Sequence, residues 1–136
     1  MKKMSKLAKK KANSNSTYWR TKADGEVTKY YTGQPCAICT TTHKTCGHHI
    51  VDRSLCAALR HDPRNIVALC QDHHTMGNEI APHSTNALAQ RRFTDWIEEN
   101  LPRAFNLLET YGQYQGRKVD YEDEYEQWRE INEDAE

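Results

Sequence analysis

Two pairs of metal-binding side chains stand out in the sequence, each with two residues between its members. Cys36 and Cys39 form the first pair, and Cys70 and His73 form the second, after an interval of thirty residues. Each spacing places two ligands on one turn of backbone, and two such turns facing each other complete a tetrahedral zinc site. We therefore predict a structural zinc ion bound by these four residues.

The remaining cysteines and three of the histidines lack this pairing. The odd count of five cysteines, after a lysine-rich start without the apolar stretch of a secretory signal, favours metal ligands and thiols over disulfides. Cys46 and Cys56 are alternative zinc ligands, but we expect them to be buried or free thiols. His43, His61 and His83 have no partner at ligand spacing, so we expect them on the surface.

A second group of candidate ligands remains beside these pairs: His48, His49, His74 and Asn78. Successive side chains of a helix point about 100° apart, so His74 faces away from the zinc ligand that precedes it. Asn78 follows four residues later and would share its helical face. An imidazole and an amide oxygen suit a divalent ion that keeps open positions for water and substrate. These residues predict a second metal site.

The adjacent histidines 48 and 49 restrict where this second site can form. On a regular strand they would point to opposite sides of the sheet, so we expect a strand end or a local distortion there. We predict one short strand around residues 48–51 and another at "NIVAL", 65–69, joined by a loop with one helical turn. From Asp72 the pattern predicts about two helical turns.

The segment before this core divides into two parts. Residues 1–16 contain six lysines among the first eleven positions and then a polar run, which predicts disorder. In residues 17–35, Asp24-Gly25 separates two segments rich in Thr, Tyr and Val. That arrangement predicts a β-hairpin.

The segment after the core is predicted to be helical. Ser84 or Thr85 would cap a first helix, and Pro102 would begin a shorter one over residues 102–111. The stretch "DYEDEYEQWREINEDAE" predicts a last, acidic helix with an apolar stripe of tyrosines and a tryptophan.

Charge is distributed very unevenly along a chain whose net charge is zero. Residues 1–35 carry nine Lys or Arg against two acids, residues 36–119 carry nine against eight, and residues 120–136 carry one against nine. A basic arm suits a polyanion such as DNA and an acidic tail repels one, although two solvated tails that aid solubility explain the pattern equally well. The candidate DNA contacts in the arm are Lys2, Lys3, Lys6, Lys9, Lys10 and Lys11.

The overall composition indicates one small domain that needs a bound metal or a disulfide to stabilise it. The chain has 136 residues, an apolar content of 37% and a mean hydropathy of −0.96. A core this lean usually depends on a metal or a disulfide. Because no run of about 18 apolar residues exists, we expect no membrane partner and a cytoplasmic location.

Three stretches, "GHHIVDRS", "RNIVALC" and "CQDHHTMGN", resemble the HNH endonucleases of the ββα-metal type. That family places a histidine on one strand, an asparagine on the next and metal ligands on a following helix, and here those residues read His49, Asn65 and His74. The resemblance covers about a third of the chain, residues 36–80, and includes the variant with a zinc knuckle. The stretch "GHHIVDRSLCAALRHDPRNIVALC" is most similar to phage recombination endonucleases of the NinG/Rap kind.

The resemblance implies a role for each of these residues. His48, His74 and Asn78 would hold the catalytic ion, and His49 would act as general base toward a water in line with phosphorus. Asn65 would hold the loop and orient the base, although an asparagine that caps the turn after Pro63 would have the same local geometry. Some members of the family have a third metal-binding histidine where this chain has Asn78, and most have a cysteine where it has His73.

Three arginines between the predicted strands are candidate contacts for DNA phosphates: Arg53, Arg60 and Arg64. Ordinary solvated arginines would fit this loop equally well.

These observations predict an α+β chain with a small ββα-metal core, stapled by structural zinc, between an N-terminal hairpin and C-terminal helices. Its parts are a disordered basic arm (1–16), the hairpin (17–35), the nuclease core (36–82), a helical extension (83–119) and an acidic helix or tail (120–136).

The predicted function is metal-dependent hydrolysis of phosphodiester bonds in DNA, in phage recombination or another form of DNA processing. The second site would use Mg²⁺, Mn²⁺ or another divalent ion. The alternative is a non-catalytic zinc module that binds nucleic acid. Such a module needs the zinc ligands but has no use for the second group of histidines.

Overall fold

A two-stranded antiparallel sheet lies at the centre of the computed structural model, which describes residues 17–135. Strand β1 covers Thr45–His49 and strand β2 covers Ile66–Cys70. Their register pairs Thr45 with Cys70 at one end and His49 with Ile66 at the other. The basic arm, with its six candidate lysines, lies outside the described residues.

Among residues 17–135, four helices surround this sheet: α1 (Thr17–Tyr31), α2 (Ala87–Asn100), α3 (Pro102–Thr110) and α4 (Tyr121–Ala135). Single 3₁₀ turns occur at Ala57–Leu59, Pro63–Asn65 and Tyr111–Tyr114, and a wider turn at Asp72–Met76. The chain is therefore α+β. In the part that the structure describes, no helix is long and apolar enough to cross a membrane.

Strand β2 is buried on both faces, which explains its unbroken apolar sequence. Val67 and Leu69 belong to a core that includes Phe93 and Ile97 of α2. Their neighbours in the strand, Ile66 and Ala68, pack instead with Val27, Tyr31 and Trp128 of α1 and α4. The sheet thus lies between two pairs of helices. One pair is α2 and α3, which follow each other in sequence, and the other is α1 and α4, the first and last helices of the described residues.

The predicted hairpin at 17–35 is wrong, because residues 17–31 form helix α1. Its buried side chains recur every four residues: Trp19, Ala23, Val27 and Tyr31. This spacing is that of one helical face, which α1 packs against α4. Burial of the face outweighs the local turn preference of Asp24-Gly25, and Gly25 lies in open space within the helix.

The three helices predicted after the core are present with small changes at their ends. Helix α2 is capped by Asn86, whose Oδ1 accepts hydrogen bonds from the Leu88 and Ala89 amides at 2.9 and 3.3 Å, rather than by Ser84 or Thr85. Helix α3 begins at Pro102 as expected, and α4 is acidic in its first turn. Tyr121 and Trp128 of α4 are buried.

The two helical turns predicted from Asp72 shorten to a single wide turn, Asp72–Met76, with π-helical geometry. The turn brings the Asp72 carbonyl so close to Gly77 that a Cβ there would clash with it. Gly77 then continues in an extended conformation, with φ −78° and ψ 156°. Because the helix ends here, Asn78 does not share a helical face with His74.

Candidate metal centres

The predicted zinc ligands converge on one site. The Sγ and imidazole nitrogen atoms of Cys36, Cys39, Cys70 and His73 all lie within 4.8 Å of one another. Cys39 Sγ is 3.6 Å from Cys70 Sγ, and His73 Nδ1 is 3.2 Å from Cys70 Sγ and 3.9 Å from Cys36 Sγ. Ligands bonded tetrahedrally to zinc at about 2.0–2.3 Å are separated by roughly 3.5–3.8 Å. These four residues, which we call the zinc cluster, can therefore bind a structural metal such as zinc.

Backbone hydrogen bonds shape the first half of the zinc cluster. Cys36 donates its amide to the Thr41 carbonyl and accepts one from Thr40, both at 2.8 Å, and Thr40 itself has a left-handed φ of 65°. Burial raises the pKa of the Cys36 thiol, but backbone N–H groups, Cys39's among them, more than offset this and lower it to about 6. The tight turn thus favours a thiolate, the form that binds metal.

A second cluster consists of His48, His74 and His83, whose ligand nitrogens also lie within 4.8 Å of one another. The ring centroids of His48 and His74 are 5.1 Å apart, and each is 4.8 Å from that of His83. We call this the histidine cluster. His73 and His74 are neighbours in sequence and belong to different clusters, as the helical geometry predicted.

The third histidine of the cluster is His83. The predicted ligand Asn78 is exposed and does not line the cleft that these histidines share. His83 is exposed as expected, but it has partners. After the turn ends at Gly77 the chain folds back, and the His83 amide donates to the His74 carbonyl at 2.9 Å. That contact bridges nine residues without a repeating pattern, so ligand spacing did not reveal it.

The surroundings of His48 and His74 favour neutral rings. His48 is buried, and burial together with its neighbours His74 and His83 lowers its pKa to about 3. Burial, followed by the charge of His83, also lowers the pKa of His74. Neutral imidazoles have the lone pairs that a metal requires. Cys46 was expected to be a buried or free thiol, and its Sγ lies 3.3 Å from His74 Nδ1.

His49 lies beside the histidine cluster at the end of β1, as its position next to His48 required. Its Nε2 is 2.8 Å from the backbone carbonyl oxygen of Arg60. Because a carbonyl can only accept, Nε2 carries the hydrogen and Nδ1 has the free lone pair. Burial lowers the pKa of His49, so its ring is neutral near pH 7. His49 and the three cluster histidines line one cleft of about 340 Å³.

Asn65 is completely buried behind this cleft. Its Oδ1 accepts from the Val51 amide at 2.7 Å, and its Nδ2 donates to the carbonyls of Val51 and Leu59, both at 3.0 Å. Both Nδ2 hydrogens and one of the two Oδ1 lone pairs are thus used. These bonds tie two parts of the 50–65 loop together. Asn65 reaches His49 only through this loop.

The three candidate arginines occupy different environments. Arg60 forms a bidentate ion pair with Asp24, and Arg64 pairs with Asp62 at 2.6 Å. Arg53 is exposed, lines the same cleft as His49 and forms no ion pair with another described residue.

His61, predicted to be on the surface, is 3% exposed. Its Nε2 lies 2.7 Å from Asp24 Oδ1 and its Nδ1 lies 2.8 Å from Glu124 Oε1. Burial alone would lower its pKa, but the two carboxylates raise it above its ordinary value. Helices α1 and α4 supply these acids and cover the ring, which the sequence of the loop could not indicate.

Comparison of the chain with models of known protein families, with curated proteins and with solved structures finds no match.

Proposed function

We propose that this protein is a metal-dependent endonuclease of the HNH type that hydrolyses phosphodiester bonds in DNA. The observation that carries the proposal is one cleft lined by both the histidine cluster and an oriented, neutral histidine, His49. A separate four-ligand zinc cluster beside it meets the need for a structural metal, so the histidines are left for chemistry.

The order of elements supports the HNH assignment. The candidate base is at the end of β1, the buried Asn65 immediately precedes β2, and His74 lies in the turn that follows β2. This order is compatible with the strand–strand–helix arrangement of a ββα-metal core, with one wide turn in the place of the helix. The resemblance to phage recombination endonucleases makes branched DNA a substrate to test.

The histidine cluster fits a catalytic divalent ion. Three protein ligands leave coordination positions open, as catalytic metal sites require. Three imidazole nitrogens without a carboxylate favour a transition ion such as Zn²⁺, Ni²⁺, Co²⁺ or Mn²⁺ over Mg²⁺, which prefers oxygen ligands. When bound, such an ion would stabilise negative charge on the phosphate and on the leaving oxygen.

The residues of the chain account for the remaining parts of a hydrolysis. His49 Nδ1 accepts a proton from a water molecule as that water attacks phosphorus, while Nε2–H stays bonded to the Arg60 carbonyl. Arg53, at the edge of the cleft and without an ion-pair partner among the described residues, contacts a DNA phosphate and holds it near the base. Arg60 and Arg64 are engaged by acids of the chain itself and are not assigned this role.

The test is cleavage of plasmid and branched oligonucleotides by zinc-loaded protein with added Mg²⁺, Mn²⁺, Co²⁺, Ni²⁺ or no ion. We expect cleavage with transition ions, and a rate lower by about 10²–10⁴-fold in His49→Ala, because general bases contribute that much. His43→Ala is the matched control, since that histidine is exposed and lies outside the cleft. A protein that binds DNA but cleaves with none of these ions would be the non-catalytic zinc module.

A further inference from the structure

The orientation of His49 depends on residue 60, which is not part of the strand that carries the base. The His49 Nε2–H bond ends on the Arg60 carbonyl, in the loop between β1 and β2. If that carbonyl moves, the ring loses the contact that selects its tautomer. The groups that hold residue 60 therefore control which nitrogen of His49 is basic.

Helix α1 holds residue 60 through Asp24. Arg60 Nε donates to Asp24 Oδ1 at 2.9 Å and Arg60 Nη2 donates to Asp24 Oδ2 at 2.6 Å. The side chains are 15% and 28% exposed, so solvent screens this pair less than an ordinary surface ion pair. Bidentate geometry also restricts the rotation of the guanidinium relative to the carboxylate.

Asp24 contacts the next residue as well. Its Oδ1 lies 2.7 Å from His61 Nε2, so one carboxylate binds both side chains that flank the critical carbonyl. Glu124 of α4 binds the other ring nitrogen of His61 at 2.8 Å, and the Trp128 indole donates to the His61 carbonyl at 2.8 Å. The α1–α4 pair thus anchors residues 60 and 61 from outside the sheet.

We propose that Asp24 is a positioning residue for the general base, acting through Arg60 to hold the carbonyl that orients His49. This proposal rests on the proposed function for the role of His49. The proposal gives helices α1 and α4 two roles: they cover β2, and they hold the loop that orients the base in the cleft. Asp24 belongs to neither metal cluster, although it lines the same cleft as His49.

The matched pair of variants is Asp24→Asn and Glu124→Gln. Each neutralises one of the two carboxylates on His61, but Asp24 is the one that binds Arg60. We expect Asp24→Asn to lower kcat by about 10–100-fold, the size found for outer partners of metal-site histidines, with KM nearly unchanged. Glu124→Gln should keep kcat within about threefold of the unaltered protein.

A spectroscopic measurement separates positioning from general loss of stability. Nitrogen-15 NMR of the zinc-loaded full chain reports which ring nitrogen of His49 carries hydrogen. The unaltered protein and Glu124→Gln should show the Nε2–H form, and Asp24→Asn should show a mixture of tautomers. An unchanged His49 tautomer in Asp24→Asn would overturn the proposal.

If Asp24→Asn does not fold, Arg60→Lys keeps the charge but loses the bidentate contact, and the same change in tautomer is expected there; its absence would overturn the proposal. The tautomer is read without any substrate, so a protein that shows the predicted tautomers but never cleaves DNA would refute the nuclease function and leave the positioning of His49 supported.

Discussion

The zinc cluster and the histidine cluster meet at two adjacent residues, His73 and His74, yet they differ in every property that matters for function. The zinc cluster has four ligands, three of them sulfur, and two are buried. The histidine cluster has three nitrogen ligands, opens into a cleft and has a neutral histidine beside it. Four protein ligands complete a tetrahedral shell, whereas three leave room for water and substrate. The difference underlies our proposal that the four-ligand site supports the fold and the three-ligand site supports chemistry.

The strongest test of this division is removal of a zinc ligand. Cys39→Ala should lose about one bound zinc per chain and its cooperative melt, because structural zinc contributes on the order of 10 kcal/mol of apparent folding free energy in small domains. Metal analysis and thermal unfolding measure both effects. Cys56→Ala, which removes a buried thiol outside both clusters, should keep its zinc and a cooperative transition. A Cys39→Ala protein that keeps both would refute the structural role.

The next test compares His83 with Asn78 as third ligand of the open site. His83→Ala should weaken binding of Co²⁺ or Mn²⁺ to zinc-loaded protein by more than the roughly 10–100-fold cost of losing an outer partner. Asn78→Ala should leave the affinity unchanged, since Asn78 is exposed and does not line the cleft. Calorimetric titration of both variants gives the answer, and the reverse result would restore the ligand set expected from spacing. Neither variant should change the melting temperature as Cys39→Ala does.

The last expected difference between the two clusters is in pH dependence. Burial and the neighbouring thiols raise the pKa of Cys70 to about 11, so this thiol must release a proton at pH 7 when zinc binds. The pKa values of His48 and His74 are lowered, so these rings have already lost their protons.

Zinc affinity of the four-ligand cluster should therefore rise between pH 6 and pH 8, by about tenfold per unit for each proton released, while His48 and His74 should add little pH dependence to that of the histidine cluster. Chelator competition on the unaltered protein and on His83→Ala, which isolates the zinc cluster, measures the two slopes. Equal slopes would contradict the assigned difference in ligand protonation.

Local spacing in the sequence was sufficient for the zinc cluster, strand β2 and the C-terminal helices, whereas β1 covers Thr45–His49 and not the predicted 48–51. Two ligands three positions apart lie on one turn whatever surrounds them, so Cys36 with Cys39 and Cys70 with His73 could be paired before any fold was known. The same local geometry separated His73 from His74. Helix α1 was also encoded locally, in the four-residue spacing of Trp19, Ala23, Val27 and Tyr31, but the Asp-Gly turn signal obscured it.

Only the tertiary structure decided the contacts between segments that are distant in sequence or that meet where the chain folds back. His83 joins the histidine cluster because a wide turn ends at Gly77 and the following loop folds back onto His74. Asp24 reaches Arg60, 36 residues away, because α1 packs across the sheet beside α4. Neither contact follows a helical or strand period, since each depends on where the burial of apolar faces places whole elements. Residue spacing specifies a turn, and packing specifies which turns meet.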